Sequence, residues 1–447
     1  MIIMSEINQK NNHWGKALRI VAFTVAMVMV LHIVAPSTLQ VLYAFAEENT
    51  TLARIYGILS DNAGEPTTAE DYYERANISI GQQKFDQALE ELDKARSLTE
   101  DKALQAELWL RTASVHALLG TLEEAKAALD ECLTLKADAT QALLLRAQIA
   151  IEMGTPKAAA ADYISYLELV PGDTASRLTL AQLLESIASY KEASAQYAKL
   201  YELIPADESH QLNAMRCLFL AGEYEEALKG FDEYIAVHDS DEQNSFSGIA
   251  VFLRAASLMQ LGRYDEAAEG FEKAIEAGYD KMACLEQITL CCFETANYDR
   301  VVSAGEELLT NATIAAPETV LQRMALSRMR QSNYEDALVW FDRIKEIQPA
   351  MEGNEYYRGV CLLTLNRQAE AVEAFTASIE SGYLLQFCYY NRGVCYVDLL
   401  EYEKAIEDMA LTLENGDDPD LIAAAKDILW QLAAYFEQNG TAPVIPD

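Results

Sequence analysis

A short phrase, an aromatic residue, an acidic one, any residue and then alanine, returns along this chain. Its clear copies are Phe85-Asp86-Gln87-Ala88, Tyr224-Glu225-Glu226-Ala227, Tyr264-Asp265-Glu266-Ala267, Tyr334-Glu335-Asp336-Ala337 and Tyr402-Glu403-Lys404-Ala405. Weaker copies end at Ala125, Ala159, Ala193, Val301 and Ala371. The ten anchor residues lie 37, 34, 34, 34, 40, 34, 36, 34 and 34 residues apart. A period of this length marks a unit that cannot bury its apolar face alone and is completed by stacking on its own copies. It therefore outranks length as a guide. A chain of 447 residues would ordinarily imply two or three domains, whereas an array grows without a single centre. Glycine (20) and proline (10) are scarce, which favours helices over a sheet protein with its many turns.

Other positions keep the same register. Twelve residues before most anchors stands a small residue: Ala76, Ala113, Ala147, Ala181, Ala255, Ala325, Gly359 and Gly393, with Met215 and Thr289 as departures. Only a small side chain lets two antiparallel helices approach closely. Four residues after the anchor comes a bulky group in Tyr163, Tyr197, Phe231, Phe271, Phe341 and Phe375, and twelve after it a helix-ending proline in Pro171, Pro205 and Pro349. Elsewhere Gly278, Gly382 and Gly416 stand one residue earlier, eleven after the anchor, each expected as a left-handed cap. The seventh copy has Val301 at its anchor and Gly305 where a bulky group belongs, so loose packing or a bend is expected there. Leucine at Gly393 should overpack the tenth copy, while alanine, the residue of six other copies, should be tolerated.

This pattern resembles the tetratricopeptide repeat, whose period and aromatic/alanine phrase it shares. The resemblance covers residues 69–417 as ten repeats and implies an all-α, right-handed superhelical solenoid of helix-turn-helix units without β-sheet. Polar insertions, such as the one around Asp239 to Ser245, fall between the units. Asp418-Pro419 opens a last helix over 418–438 that reads as a cap for the final hairpin, followed by a tail at 439–447.

The other end of the chain differs in kind. Residues 20–35 are apolar except for Thr24 and His32, and Lys16 and Arg19 precede them. Apolar character resumes from Leu39 to Ala46, before Glu47 and Glu48 begin the acidic body and a linker over 47–68. Two readings of residues 1–46 stand. Ala44-Phe45-Ala46 fits a signal-peptide cleavage pattern, with secretion after cleavage following Ala46. Residues 17–46 are also long enough to remain as a single-pass transmembrane anchor. Either way the charges flanking the span place the repeats on the extracytoplasmic side.

The formal charge is −36, and the first 46 residues carry a small positive excess, so the acidity belongs to the repeats. A nucleic-acid partner is excluded on that ground, since phosphate binding needs a basic footprint. No phosphate-cradling glycine loop or Gly-x-Ser-x-Gly elbow occurs, and no two of His13, His32, His116, His210 and His238 lie within one helical turn of each other. The chain therefore reads as no enzyme, with no cofactor or metal. Of its eight cysteines, Cys217, Cys291, Cys361 and Cys395 share one repeat register and Cys284 and Cys388 another, which predicts buried free thiols used as small packing residues.

In the resembled family the first helix of each hairpin lines a concave groove, with repeat positions 2, 5, 9, 12 and 13 toward the ligand. Carried over, these positions place Arg216, Phe219, Phe252, Met259, Phe293, Gln322, Met329, Arg330, Tyr356, Phe387, Tyr390 and Asp398 in that groove. Aromatic and Met groups with scattered polar ones suit an extended peptide or a helix as partner. The family's carboxylate clamp needs Lys and Asn; Asn77 is the one Asn at its ninth position and no Lys occupies the groove, which disfavours a cochaperone role. The resemblance thus implies a membrane-anchored or exported scaffold for protein–protein interaction, or alternatively an exported holdase or assembly factor for unfolded or secreted polypeptides.

Overall fold

The computed structural model describes residues 65–238, 247–310 and 317–439. Residues 1–46, with their signal or anchor reading, lie outside that range. Among the described residues every regular element is a helix, and none is long and apolar enough to cross a membrane.

The chain divides into two compact units between Glu226 and Ala227. The first holds α1 (Ala69–Gly81), α2 (Phe85–Ser97), α3 (Lys102–Leu119), α4 (Leu122–Leu135), α5 (Thr140–Glu152), α6 (Pro156–Leu169), α7 (Thr174–Ser186), α8 (Tyr190–Leu203) and α9 (Glu208–Ala221). The division falls at the start of α10 (Tyr224–His238). The second unit continues with α11 (Ser247–Gln260), α12 (Tyr264–Glu276), α13 (Lys281–Glu294), α14 (Tyr298–Leu309), α15 (Pro317–Arg330), α16 (Tyr334–Ile347), α17 (Asn354–Thr364), α18 (Gln368–Glu380), α19 (Leu385–Asp398), α20 (Tyr402–Glu414) and α21 (Pro419–Asn439). Within each unit, successive odd and even helices pair as hairpins, and each hairpin packs on the next.

Local chemistry sets the helix ends. The first helix of a hairpin commonly starts behind an aspartate whose carboxylate accepts a backbone N–H, as Asp101 does from Ala103, Asp173 from Ser176 and Asp280 from Met282 and Ala283. Thr68 and Asp71 form a reciprocal capping box before α1. The turn inside each hairpin is more uniform than its sequence. The residue five before the anchor is left-handed in all ten copies, as Gly120, Gly154, Gly222 and Gly262 but also as Gln83, Ala188, Ala296, Ser332, Asn366 and Leu400.

The small-residue register acts as expected. A Cβ on Gly270 would meet the Cβ of Ala255 at 2.8 Å, and one on Gly359 would meet the Phe375 ring at 2.7 Å. Three expectations are corrected. The seventh copy is not loose: Val301 and Val302 are buried, and Met324 of the following hairpin fills the space at Gly305, its Sδ lying 2.5 Å from where a Cβ would be. Gly416 is not among the left-handed residues, unlike Gly278 and Gly382; its missing side chain makes room for Gln386, whose Cδ would lie 1.9 Å from a Cβ there. Alanine at Gly393 is not free of contact, because its Cβ would meet the Met409 methyl at 2.7 Å.

Arginines join neighbouring hairpins. Arg146 on α5 donates to Asp162 on α6 at 2.6 and 2.9 Å and to Asp130 on the preceding α4 at 2.7 Å. Arg392 on α19 repeats this with Asp408 on α20 and Thr376 on α18. Arg358 bonds Asp342 of the preceding hairpin at 2.6 Å.

Two outcomes are expected. Alanine at Gly359 faces a buried aromatic ring, and at Gly393 the end of a flexible Met with the Asp408 Cβ at 3.2 Å beside it, so by overpacking Gly359→Ala should cost about 1–3 kcal/mol and Gly393→Ala less, read by chemical denaturation. Leu400 holds a left-handed backbone (φ 61°) with its side chain 69% exposed, so Leu400→Gly relieves strain without losing packing and should stabilise by up to about 1 kcal/mol, raising the melting temperature.

Candidate functional site

One stripe of each first helix is left out of the packing. On α13, Cys284, Leu285, Ile288, Thr289, Cys291 and Cys292 are buried, while Glu286, Leu290, Phe293 and Glu294 are partly or fully exposed. On α15, Val320, Leu321, Met324, Ala325 and Ser327 are buried and Gln322, Leu326, Met329 and Arg330 are partly exposed. The stripe follows from helical periodicity: residues three and four apart share a face, and the buried face is used up by the second helices on either side.

The structure sorts the twelve candidates into three groups. Phe293, Gln322, Met329, Arg330, Phe387 and Tyr390 sit partly exposed on this stripe in the second unit, and Asp398 is exposed at the end of α19, accepting a hydrogen bond from Gln368 at 3.3 Å. Met259 (6% exposed) and Tyr356 (4%) are corrected to core residues. Tyr356 is enclosed by the rings of Tyr357, Phe375 and Tyr383 at 5.3–6.2 Å, so it supports the surface rather than forming it. Phe252 lies between, partly buried and stacked on Tyr279 at 4.2 Å.

The remaining two belong to α9 in the first unit. Phe219 meets Tyr224 edge-on at 5.5 Å. Arg216 is engaged within the protein: it donates to Glu185 at 2.6 Å and to Asn213 at 3.3 Å, while Tyr197 Oη donates to the other Glu185 oxygen at 2.6 Å. Burial, the largest single influence, would lower the Arg216 pKa, but the charge and hydrogen bond of Glu185 together with Cys217 and Tyr197 outweigh it and leave the pKa raised. The same burial, followed by the Glu185 charge, pushes the adjacent Cys217 thiol up to about 12.

All eight cysteines are buried and unbridged. Burial pushes Cys284, Cys291, Cys361 and Cys395 up to about 12 and Cys292 and Cys388 up to about 11, so none is a thiolate nucleophile at neutral pH. Among the described residues no group of three His, Cys, Asp or Glu side chains comes together to hold a metal ion.

Sequence reasoning placed repeat position nine in the groove, with Arg216 as its candidate, but did not compare its copies. This residue, eleven before each anchor, is buried in Gln148 and Ala256 and partly exposed in the other copies. It is Asn77, Ser114, Gln148, Gln182 and Arg216 in the first five copies and Ala256, Leu290, Leu326, Val360 and Val394 in the last five. Reading the register column by column would have shown this change from polar to aliphatic. Asn77 is the one Asn in the row, which is why the family's Lys/Asn clamp was disfavoured.

The fold and this open stripe define an α-helical repeat protein of the hairpin-stacking kind. The family model for the tetratricopeptide repeat matches residues 73–142 and 218–282. Among curated proteins none matches the chain. Solved structures similar to it include a tetratricopeptide repeat protein from Parabacteroides merdae, 16% identical, covering 66% of this chain and 98% of that one with a TM-score of 0.31. Another is the C-terminal part of a repeat-containing protein from Cytophaga hutchinsonii, 15% identical, covering 55% and 98% with a TM-score of 0.47. A third is YrrB, described as having an unusual peptide-binding site, 22% identical, covering 39% and 88% with a TM-score of 0.30. The chain thus carries tetratricopeptide repeats at the matched residues, which supports a scaffold for protein–protein interaction on a fold that typically performs no catalysis.

Proposed function

We propose that the protein is held at a membrane, or exported, through residues 17–46 and presents its repeats on the far side, where the first-helix stripe captures a segment of a partner protein. The observation that carries this reading is the second unit's stripe. Phe293, Met329, Phe387 and Tyr390 are partly exposed beside an aliphatic centre row, on the one helix face that packing leaves open. Aromatic and Met anchors of this kind bind through buried apolar area while Arg330, Glu286, Glu294 and Asp398 set orientation. The apolar span ahead of the acidic repeats supports the localisation, with Lys16 and Arg19 on its cytoplasmic side.

The double variant Phe293→Ala, Tyr390→Ala should keep its helical circular dichroism and lose at least about tenfold in partner affinity, since each anchor truncated is worth on the order of 1–2 kcal/mol. A discrete stoichiometric partner retained by the variant would refute the stripe as its site. Many weak clients in place of one would make the protein a holdase instead. Protease added outside intact cells should digest residues beyond about 47, and full protection of the repeats would overturn the proposed topology.

A further inference from the structure

The last described helix has an outer face on which no further hairpin stacks. The inner face of α21 packs on α20 and α19: Leu421, Ala425 and Leu432 are buried, and Ile428, Leu429 and Phe436 are partly buried beside Ala405 and Ile406. Helical periodicity turns Ala423, Lys426, Asp427, Trp430, Ala434 and Glu437 the other way, and all six are exposed. A terminal unit of a repeat array keeps itself soluble by making this face polar. Trp430 departs from that rule in the middle of the helix. It is 75% exposed, and no large apolar side chain among the described residues is more so. Lys426 and Glu437, which flank it, form no ion pair with any described residue.

This face is complementary to itself read backwards. Lys426 and Glu437 are about three helical turns apart and so lie on the same flank of Trp430. Two copies of α21 meeting antiparallel, with their twofold axis near Gln431 and Leu432, set Lys426 of each beside Glu437 of the other. An isologous contact makes that ion pair twice. The same axis lays each Trp430 ring over Ala434 of the other copy, where a small side chain leaves room for it. Asp427, on the opposite flank, then meets the uncharged Gln438. A parallel pairing would instead set Lys426 on Lys426 and Glu437 on Glu437. With 21 residues α21 is about 30 Å long, and one helix face covers less than the roughly 1,600 Å² of a standard interface. The pairing is therefore weak, with a dissociation constant in the micromolar range.

We propose that the outer face of α21 is a self-association surface, on which two copies of this chain pair antiparallel through Trp430 and Ala434 between two Lys426–Glu437 ion pairs. A second copy is the occupant because the face matches itself in both volume and charge. Lys426 is the one basic residue on α21, so its place opposite Glu437 offsets part of the repulsion between two acidic chains. None of the stripe residues takes part, and the pairing stands or falls independently of what the stripe captures.

The test is the mass of the full chain in detergent micelles, followed by sedimentation equilibrium across the micromolar range. The unaltered chain should pass from monomer to dimer as its concentration rises, a readout that needs no variant to fold. Trp430→Ala, at an exposed position that leaves the hairpins untouched, should weaken dimerisation at least about tenfold. Lys426→Glu and Glu437→Lys should each weaken it about fivefold, and the two changes together should restore it, a rescue that lost packing cannot produce. A chain that stays monomeric throughout the range overturns the proposal, whether a different protein or this chain's own residues 440–447 then prove to cover Trp430. A dimer indifferent to Trp430→Ala overturns it too, as one formed through residues 17–46 would be. Charge reversals that fail to rescue each other overturn the antiparallel pairing.

Discussion

Everything in this fold depends on how closely the two helices of a hairpin can cross. Where Ala255 lies against Gly270, or Gly359 against the Phe375 ring, the backbones approach until no further side-chain volume fits. That contact sets the angle and depth of the hairpin and leaves an apolar face on it that only the next hairpin can cover. The buried cluster running through Leu321, Ala337, Phe341, Cys361, Phe375 and Cys395 accordingly spans three consecutive hairpins. The cysteines belong to this logic. They are small, apolar and adaptable side chains at recurring packing positions, and their raised pKa values follow from that burial.

Close crossing by itself would not order one hairpin against the next, because apolar surfaces slide at modest cost. The arginines supply the direction. Arg146 is held by a carboxylate of its own hairpin and one of the preceding hairpin, and Arg392 by Asp408 and the Thr376 hydroxyl in the same arrangement. Asp162 and Asp408 are almost fully buried, so displacing the guanidinium would leave a desolvated charge without its partner. Such pairs favour one register over its neighbours more than they add stability. Few acidic side chains among the described residues are buried this way, and most of the others lie on the surface as a field that repels polyanions and draws in basic segments.

The hairpins, their order and the small-residue crossing were legible in the sequence because each is repeated, and repetition averages out exceptions. What escaped it was compensation between different positions. Gly305 looked like a hole since its filler, Met324, lies in the following hairpin. Gly416 looked like a cap because glycine at a helix end usually is one, whereas here it clears space for Gln386 from two helices back. The left-handed turn residue was hidden for a different reason: six of its ten copies carry side chains that disfavour that conformation, so the hairpin geometry imposes it against local preference. At the candidate site, the stripe was readable from periodicity, yet Met259 and Tyr356 could be placed in the core only by seeing which rings enclose them.

The division of labour along each first helix explains how the fold keeps its packing while the chemistry of its open face changes from copy to copy. Residues that meet second helices are constrained by volume and by the arginine pairs, and they vary little in character between copies. The stripe answers to none of those constraints, so its centre row can be amide in Gln148 and Gln182 and aliphatic in Leu290 and Leu326 without altering the hairpins beneath.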